Sequence, residues 1–246
     1  AGMMDGDGYV GVRIPKKRKH LKLSVVLELR HDHAEPVTRL AELFDLSISK
    51  KIYLAAKNTQ PSIKVELSGV KARLFLICIY PYMLEKKKRT KEILVKLDCP
   101  EIHLPEAREF SLEYLAGYID AEGSVCFRLN HSKTKAGNIT SFYSYYLTLT
   151  SNNTDHLQYL KQNLIKLGYD HFRKDFINTY KSEKKSPRLG TNPDKWNDTT
   201  HVVLGGTTKQ LSKFYKKVEP FMLIKHKKDN MKSTIRYNSI FQKIKK

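Results

Sequence analysis

The sequence predicts an α+β protein built from two repeated units, each with the element order α-β-β-α-β-β-α. One short motif occurs twice, as AGMMDGDG at residues 1–8 and as LAGYIDAEG at residues 115–123, with an offset of 115 residues from Ala1 to Ala116. A second pair of similar segments, YPYMLEK at 80–86 and EPFMLIK at 219–225, is offset by 139 residues. Two markers in the same order indicate an internal repeat.

The elements of the first half follow from its hydrophobic periodicity. A short helix is expected at the first motif, and alternating or β-branched runs predict strands, whereas apolar residues three and four apart predict helices. The expected order after the motif is a strand at 9–14, a strand at 21–30, a helix at 35–46, strands at 52–56 and 62–67, and a helix from about Val70 to the break at Pro81.

The second half repeats this pattern with 24 additional residues, which is the difference between the two offsets. A polar, basic stretch with Pro and Gly at 180–198 is the expected insert. The predicted domains are 1–97, a linker at 98–110 with two prolines, and 111–246. The expected elements after the second motif are strands at 124–130 and 142–151, a helix at 154–167, strands at 171–178 and 200–204, and a helix at 207–218.

The charge balance points to a polyanionic partner. The chain has 45 Lys and Arg against 25 Asp and Glu, for a net charge of +20, and both halves share the excess. A protein this basic favours nucleic acid as its partner. No basic amphipathic helix with a broad apolar face and no apolar run of spanning length occurs, so a membrane partner is not expected. Three cysteines without a CxxC spacing predict a reducing compartment. Together with the expected nucleic-acid partner, this predicts an intracellular location with access to DNA, namely a prokaryotic cytoplasm or an organelle.

The repeated motif has a physical interpretation of its own. Ala-Gly pairs in both copies allow two helix backbones to approach closely, so we expect the two motif helices to pack together. Each copy then ends in two acids, Asp5 and Asp7 in the first and Asp120 and Glu122 in the second, where the helix dipole disfavours negative charge by about 0.3–1 kcal/mol each. A hard cation such as Mg²⁺ would stabilise them. A lone copy would be a simple turn, but the repetition favours a metal site.

These residues resemble the LAGLIDADG family of homing endonucleases in its single-chain, double-motif form. LAGYIDAEG matches the nine-residue signature in seven places, and AGMMDGDG matches it from its second residue. The resemblance implies two pseudo-twofold-related αββαββα units with curved antiparallel sheets in the DNA major groove. It implies a monomeric, intron-encoded, site-specific endonuclease that hydrolyses double-stranded DNA at a long target. The first motif lacks its leading Leu, so we expect its helix to begin before Ala1.

The resemblance also implies which residues form the active site. The last acid of each motif, Asp7 and Glu122, is expected to bind the metal, joined by the backbone carbonyls of Gly6 and Ala121. A basic residue near each site is expected at Lys86 and Lys225, and polar residues after the second strand that orient solvent are expected at Asp32 and Asn152. The implied cofactor is Mg²⁺, with Mn²⁺ as a substitute and Ca²⁺ bound without turnover. Glu122 replaces the family's Asp, so the two DNA strands could be cut at different rates.

Basic residues on the strands and turns are the predicted DNA contacts, because alternate residues of a strand face the same side and Arg and Lys bind guanine edges and phosphates. In the first half they are Arg13, Lys16, Lys17, Arg18, Lys22, Arg30, Lys64 and Arg73. In the second half they are Arg128, Lys133, Lys135, Arg173, Lys174, Lys184 and Arg188.

Three alternatives to a nuclease are open from the sequence. The same fold could serve an intron RNA maturase, with intron RNA as a partner, or a non-catalytic DNA-binding regulator. A basic scaffold protein is the third, but it gives no reason for doubled acidic helix ends. No Ser or Cys near the motifs has a His partner, and no GxxxxGK[ST] loop occurs, so neither a covalent nucleophile nor ATP is expected.

Overall fold

The structure is a computed structural model, and it describes part of the chain. The described residues are 1–13, 21–51, 61–97, 110–133, 137, 139–169, 172–180, 199–204 and 208–244. The predicted linker lies outside these ranges except for Phe110, as do the predicted insert after Tyr180 and the strand expected at 52–56.

The first half contains the other predicted elements, a strand at Ser49–Lys51 and one additional helix. Short 3-10 turns at His31–His33 and Tyr80–Tyr82 connect some of them. The elements are α1 (Gly2–Gly6), β1 (Gly8–Arg13), β2 (Lys22–Arg30), α2 (Glu35–Phe44), β3 (Ser49–Lys51), β4 (Ser62–Ser68), α3 (Gly69–Ile79) and α4 (Lys87–Lys96).

Strands of the first half form an antiparallel sheet in the order β1-β2-β4-β3. Buried and more exposed residues alternate strictly along β4 and almost strictly along β2. Leu23, Leu27 and Val65 are among the buried residues. Helices α2 and α3 cover the buried face. The polar residues of the alternation therefore lie together on the opposite face of the sheet.

The second half repeats the order, again with an additional helix at its end. Its antiparallel sheet has the order β5-β6-β8-β7, with a register irregularity between Phe172 and Ile177. Its elements are α5 (Leu112–Glu122), β5 (Gly123–Lys133), β6 (Ile139–Ser151), α6 (Thr154–Lys166), β7 (Phe172–Tyr180), β8 (Thr199–Leu204), α7 (Thr208–Val218) and α8 (Lys225–Ile244).

The compact units of the structure do not coincide with the sequence repeats. One unit comprises Ala1–Ala121 with Phe221–His226, and the other comprises Glu122–Pro220 with Lys227–Lys246. Helix α5 begins the second repeat in sequence, yet almost all of it packs in the first unit. Its buried residues, such as Leu115 and Ile119, are fully removed from solvent. Repeat boundaries and packing boundaries therefore describe different properties of this chain.

The two motif helices α1 and α5 approach at backbone contact distance, as their small residues predict. A Cβ atom added to Gly2 would lie 2.0 Å from the carbonyl oxygen of Tyr114, and one added to Gly117 would lie 3.0 Å from the amide nitrogen of Met3. A larger side chain at either position would push the backbones apart. The Gly residues of the motif are therefore required by packing within this unit.

None of the helices in the described part of the chain has an apolar stretch long enough to span a membrane.

Candidate active site

The two acids at the end of α1 have different environments. Asp5 is 1% exposed, and its carboxylate accepts hydrogen bonds from the backbone amides of Leu84 (2.7 Å), Glu85 (3.2 Å) and Lys86 (3.0 Å). Asp7, the C-cap of α1, is exposed. Three backbone amides offset the cost of burying this carboxyl group, so Asp5 anchors the loop before α4.

Two tyrosines of α5 complete this anchor. The hydroxyl of Tyr114 donates to Asp5 (2.8 Å), and that of Tyr118 donates to Glu85 (3.1 Å), with the two rings stacked 6.1 Å apart. Burial, followed by the negative charge of Asp5, raises the pKa of Tyr114 far above its usual value. Tyr114 is therefore a neutral donor that links the second motif helix to the first motif's buried acid.

Lys86 binds the end of α1 directly. Its ammonium donates to the carbonyl oxygens of Met4 (2.9 Å), Gly6 (2.7 Å) and Gly8 (2.6 Å). A cation at a helix C-terminus is favourable because the last carbonyls carry negative partial charge. The predicted basic residue thus lies at the end of the first motif, and it shares the Gly6 carbonyl that the resemblance assigns to the metal.

The second motif ends with the same kind of anchor. Asp120 is 1% exposed and accepts hydrogen bonds from the backbone amides of Leu223 and Ile224. Glu122 is the last residue of α5. The repeat is not symmetrical at the lysine, because the backbone amide of Lys225 donates to Glu35 (3.0 Å), whereas that of Lys86 donates to the motif acid.

The predicted solvent-orienting residues follow their second strands as expected. Asp32 lies in the 3-10 turn after β2 and receives two hydrogen bonds from Arg30, at 3.1 and 2.7 Å. Desolvation tends to raise the pKa of Asp32, but the Arg30 hydrogen bonds and nearby charges outweigh it and lower the pKa. Asn152 is exposed after β6, next to Asn153, which caps α6 through the amide of His156 (3.1 Å).

Apart from Arg73, the predicted DNA contacts divide into three groups. Lys22, Arg30 and Lys64 lie on the polar face of the first sheet, and Lys133 is exposed at the end of β5. The structure describes the strand backbone but not the side chains of Arg13, Arg128, Arg173 and Lys174. The remaining predicted contacts in loops lie outside the described residues, namely Lys16, Lys17, Arg18, Lys135, Lys184 and Arg188.

Arg73 is placed differently from the other basic candidates. It lies in α3, in the helical layer behind the first sheet, and its guanidinium donates to the carbonyl of Leu97 (3.4 Å). Its grouping with the strand residues was wrong, because the chain has already entered the helix after β4 at Gly69.

Acidic residues on the polar face of the sheet were missed by the sequence analysis. Glu66 and Glu28 alternate with buried residues on β4 and β2, next to Lys64 and Ser62. The strand alternation was the signal that could have identified them, because it places both acids on the same face of the sheet as Lys64.

The oxygen atoms at the end of the first motif are of the type that a hard divalent cation prefers. In the described part of the chain no group of three or more His, Cys, Asp or Glu side chains is placed to hold a metal ion. A cation here would instead use one carboxylate, helix-end carbonyls and oxygens of a bound ligand, which is a common arrangement for Mg²⁺. The Gly6 carbonyl oxygen has two lone pairs, so it could coordinate a cation with one while the other accepts the hydrogen bond from Lys86.

Comparison with known proteins gives structural matches only. No protein-family model and no curated protein matches the sequence. The structure of the LAGLIDADG homing endonuclease I-GzeII in complex with a DNA target matches with a TM-score of 0.61 and 14% identity over 99% of this chain and 90% of that one.

Two further structures give the same result. I-LtrWI bound to target DNA matches with a TM-score of 0.60 and 14% identity over 98% and 89% of the two chains, and I-SmaMI bound to cleaved DNA with 0.60 and 15% over 99% and 89%. Both are LAGLIDADG homing endonucleases. The resemblance indicated by the two motifs is therefore confirmed at the level of architecture: this chain has the LAGLIDADG homing endonuclease fold.

Proposed function

We propose that this protein is a site-specific DNA endonuclease that hydrolyses phosphodiesters with a divalent metal. The observation that carries the proposal is the doubled motif, in which one acid is buried as an anchor and the second stands at the helix end. The fold is shared with nucleases solved on DNA. The net charge of +20 favours binding to the phosphate backbone.

The residues proposed to hold the metal are the terminal motif acids Asp7 and Glu122, with the backbone carbonyls of Gly6 and Ala121. When bound, Mg²⁺ supplies positive charge to phosphoryl oxygens. We propose that Mn²⁺ substitutes for it and that Ca²⁺ binds without turnover.

The chain's own residues position this chemistry. Lys86 fixes the end of α1, on which Asp7 stands, and adds positive charge beside it. We propose the equivalent role for Lys225. Asp32 and Asn152 are proposed to orient the attacking water, whose oxygen bonds to phosphorus as the bond to the 3′ oxygen breaks.

Selection tests the proposal. A plasmid library with long randomised or genomic inserts is incubated with the protein and Mg²⁺, and linearised molecules are sequenced. A nuclease gives discrete cuts at one sequence that disappear with EDTA. Tight binding without Mg²⁺-dependent cutting would instead identify a regulator, and preferential binding of structured intron RNA would identify a maturase.

A further inference from the structure

The polar face of the first sheet forms a cup beside the end of α1. The cup has a volume of about 310 Å³, and the residues that line it include Asp7, Tyr9, Ser24, Glu28, Lys64 and Glu66. On its β4 side, the Lys64 ammonium and the Glu66 carboxylate form an ion pair at 3.0 Å. The pair is partly buried, with side-chain exposures of 19% for Lys64 and 25% for Glu66.

Strand register holds this ion pair in position. Lys64 and Glu66 are two residues apart on β4, so both side chains leave the same face of the sheet. The other oxygen of Glu66 accepts a hydrogen bond from Ser24 on β2 at 2.8 Å. Glu28 lies opposite Lys64 in the β2–β4 register and accepts from Ser62 at 2.7 Å. The donor and the acceptor are thus fixed before any ligand arrives.

A carboxylate at this place is unsuited to DNA phosphates. The exposed basic residues Lys22 and Arg30 lie at the two ends of β2, whereas Glu66 repels phosphate at the centre. A carboxylate has only acceptor atoms, so among base edges it selects amino groups. In the major groove, Glu accepts from the cytosine amino group and Lys donates to guanine.

The dimensions of the ion pair match one base pair. The cytosine amino group and the guanine O6 oxygen are hydrogen-bonded to each other within a C·G pair, so they are roughly 2.7–3.2 Å apart. Adenine N6 and thymine O4 have the same spacing in an A·T pair, but guanine presents two acceptors, O6 and N7, to an ammonium, whereas thymine presents only O4 beside its methyl group. The Nζ atom of Lys64 and the Oε2 atom of Glu66 are 3.0 Å apart. We propose that Glu66 and Lys64 are specificity-determining residues that together read a single C·G base pair, with Glu66 accepting from cytosine and Lys64 donating to guanine O6.

This inference rests on the proposed function, and its test starts from the target that selection identifies. Wild type, Glu66→Gln and Lys64→Met are compared on that target and on all its single-base-pair variants. Wild type should prefer C·G at one position by about 5- to 150-fold, the range for a good base-specific contact. Both variants should lose that preference at the same position, and the double variant should relax it no further, since the two side chains form one contact.

A matched control separates readout from charge. Glu42 is an exposed acid on α2, in the helical layer, so Glu42→Gln removes the same charge away from the cup and should change no position. The proposal is overturned if the two variants relax different positions, reduce cutting of all targets equally, or change nothing. If the wild-type protein cuts no DNA, the proposed nuclease function is wrong. The base preference measured by binding selection then still tests whether Glu66 and Lys64 read a C·G base pair.

Discussion

At the residue scale, the first motif places two carboxylates with opposite environments two positions apart. Asp5 accepts three backbone amides and the Tyr114 hydroxyl inside the protein, whereas Asp7 is exposed and lines the cup. A buried, fully coordinated acid stabilises structure, and an exposed acid at a helix end can meet a ligand. The motif thus holds one acid in the core and leaves the other accessible to a ligand.

Tyr114 predicts a specific alkaline instability. Its pKa is raised in the folded protein, first by burial and then by Asp5, whereas a tyrosine in the unfolded chain has a pKa of about 10. The folded state retains the proton that the unfolded state loses, so this stabilisation is complete below pH 10 and declines as the pH rises further. Above pH 10 this tyrosine should lower the free energy of unfolding by about 1.4 kcal/mol per pH unit, and Tyr114→Phe should remove that decline.

The measurement is the urea midpoint at pH 8 and at pH 11 for both proteins. At pH 8, Tyr114→Phe should be less stable by about 1.5–3 kcal/mol, the value of a hydrogen bond to a charged group. At pH 11 the difference should be smaller. Equal differences at the two pH values would contradict the environment assigned to Tyr114.

Lys86 predicts a combined loss of stability and activity. Lys86→Met removes the ammonium from three carbonyl oxygens at the end of α1 while retaining the length of the side chain. We expect a decrease of about 2 kcal/mol in the free energy of unfolding, together with slower cutting. Lys88→Met is the matched control, because Lys88 is exposed on α4 and carries the same charge. If both substitutions changed stability and cutting to a similar extent, the loss of one positive charge would explain the result, and the role assigned to the Lys86 hydrogen bonds would be wrong.

At the element scale, the crossing of α1 and α5 depends on glycine. Gly2→Ala places a Cβ atom 2.0 Å from a backbone oxygen, which cannot rotate away as a side chain can. We expect a loss of about 1–3 kcal/mol or more, typical of overpacked cores. Gly11→Ala is a suitable comparison, since the three atoms nearest to its Cβ would all belong to the movable side chain of Tyr9.

Thermal denaturation of both alanine variants provides the check. A larger decrease in Tm for Gly2→Ala than for Gly11→Ala supports the close crossing. The opposite ranking would mean that the helices can separate without cost.

Two elements of this chain lacked a clear sequence signal. Helix α4 presents Ile93, Leu94 and Val95 consecutively, which is not a helical stripe, and its first turn is basic. Helix α8 begins at Lys225, where the repeated segment EPFMLIK ends, and is strongly polar. Each helix follows a loop whose backbone amides are bound by a buried acid, Asp5 before α4 and Asp120 before α8. These are tertiary contacts, which local sequence patterns do not reveal.

At the scale of the whole molecule, repetition carried most of what could be predicted. The doubled motif and doubled strand patterns predicted both sheets, and most expected elements are within a few residues of the observed ones. The partners of Asp5 could not be predicted, because backbone amides leave no mark in the sequence. The pairing of Tyr114 with Asp5 depends on the helix crossing, and the assignment of α5 to the first unit depends on packing.

The most direct test of the central claim compares two isosteric substitutions, Asp7→Asn and Asp5→Asn. Each is assayed for Mg²⁺-dependent cutting of the selected target, for binding to it and for Tm. Asp7→Asn should retain the Tm and the binding of wild type but cut at least about 100-fold more slowly, as expected when a charged group acts in the transition state. Asp5→Asn should instead lower the Tm. Cutting by Asp7→Asn at the wild-type rate would contradict the account.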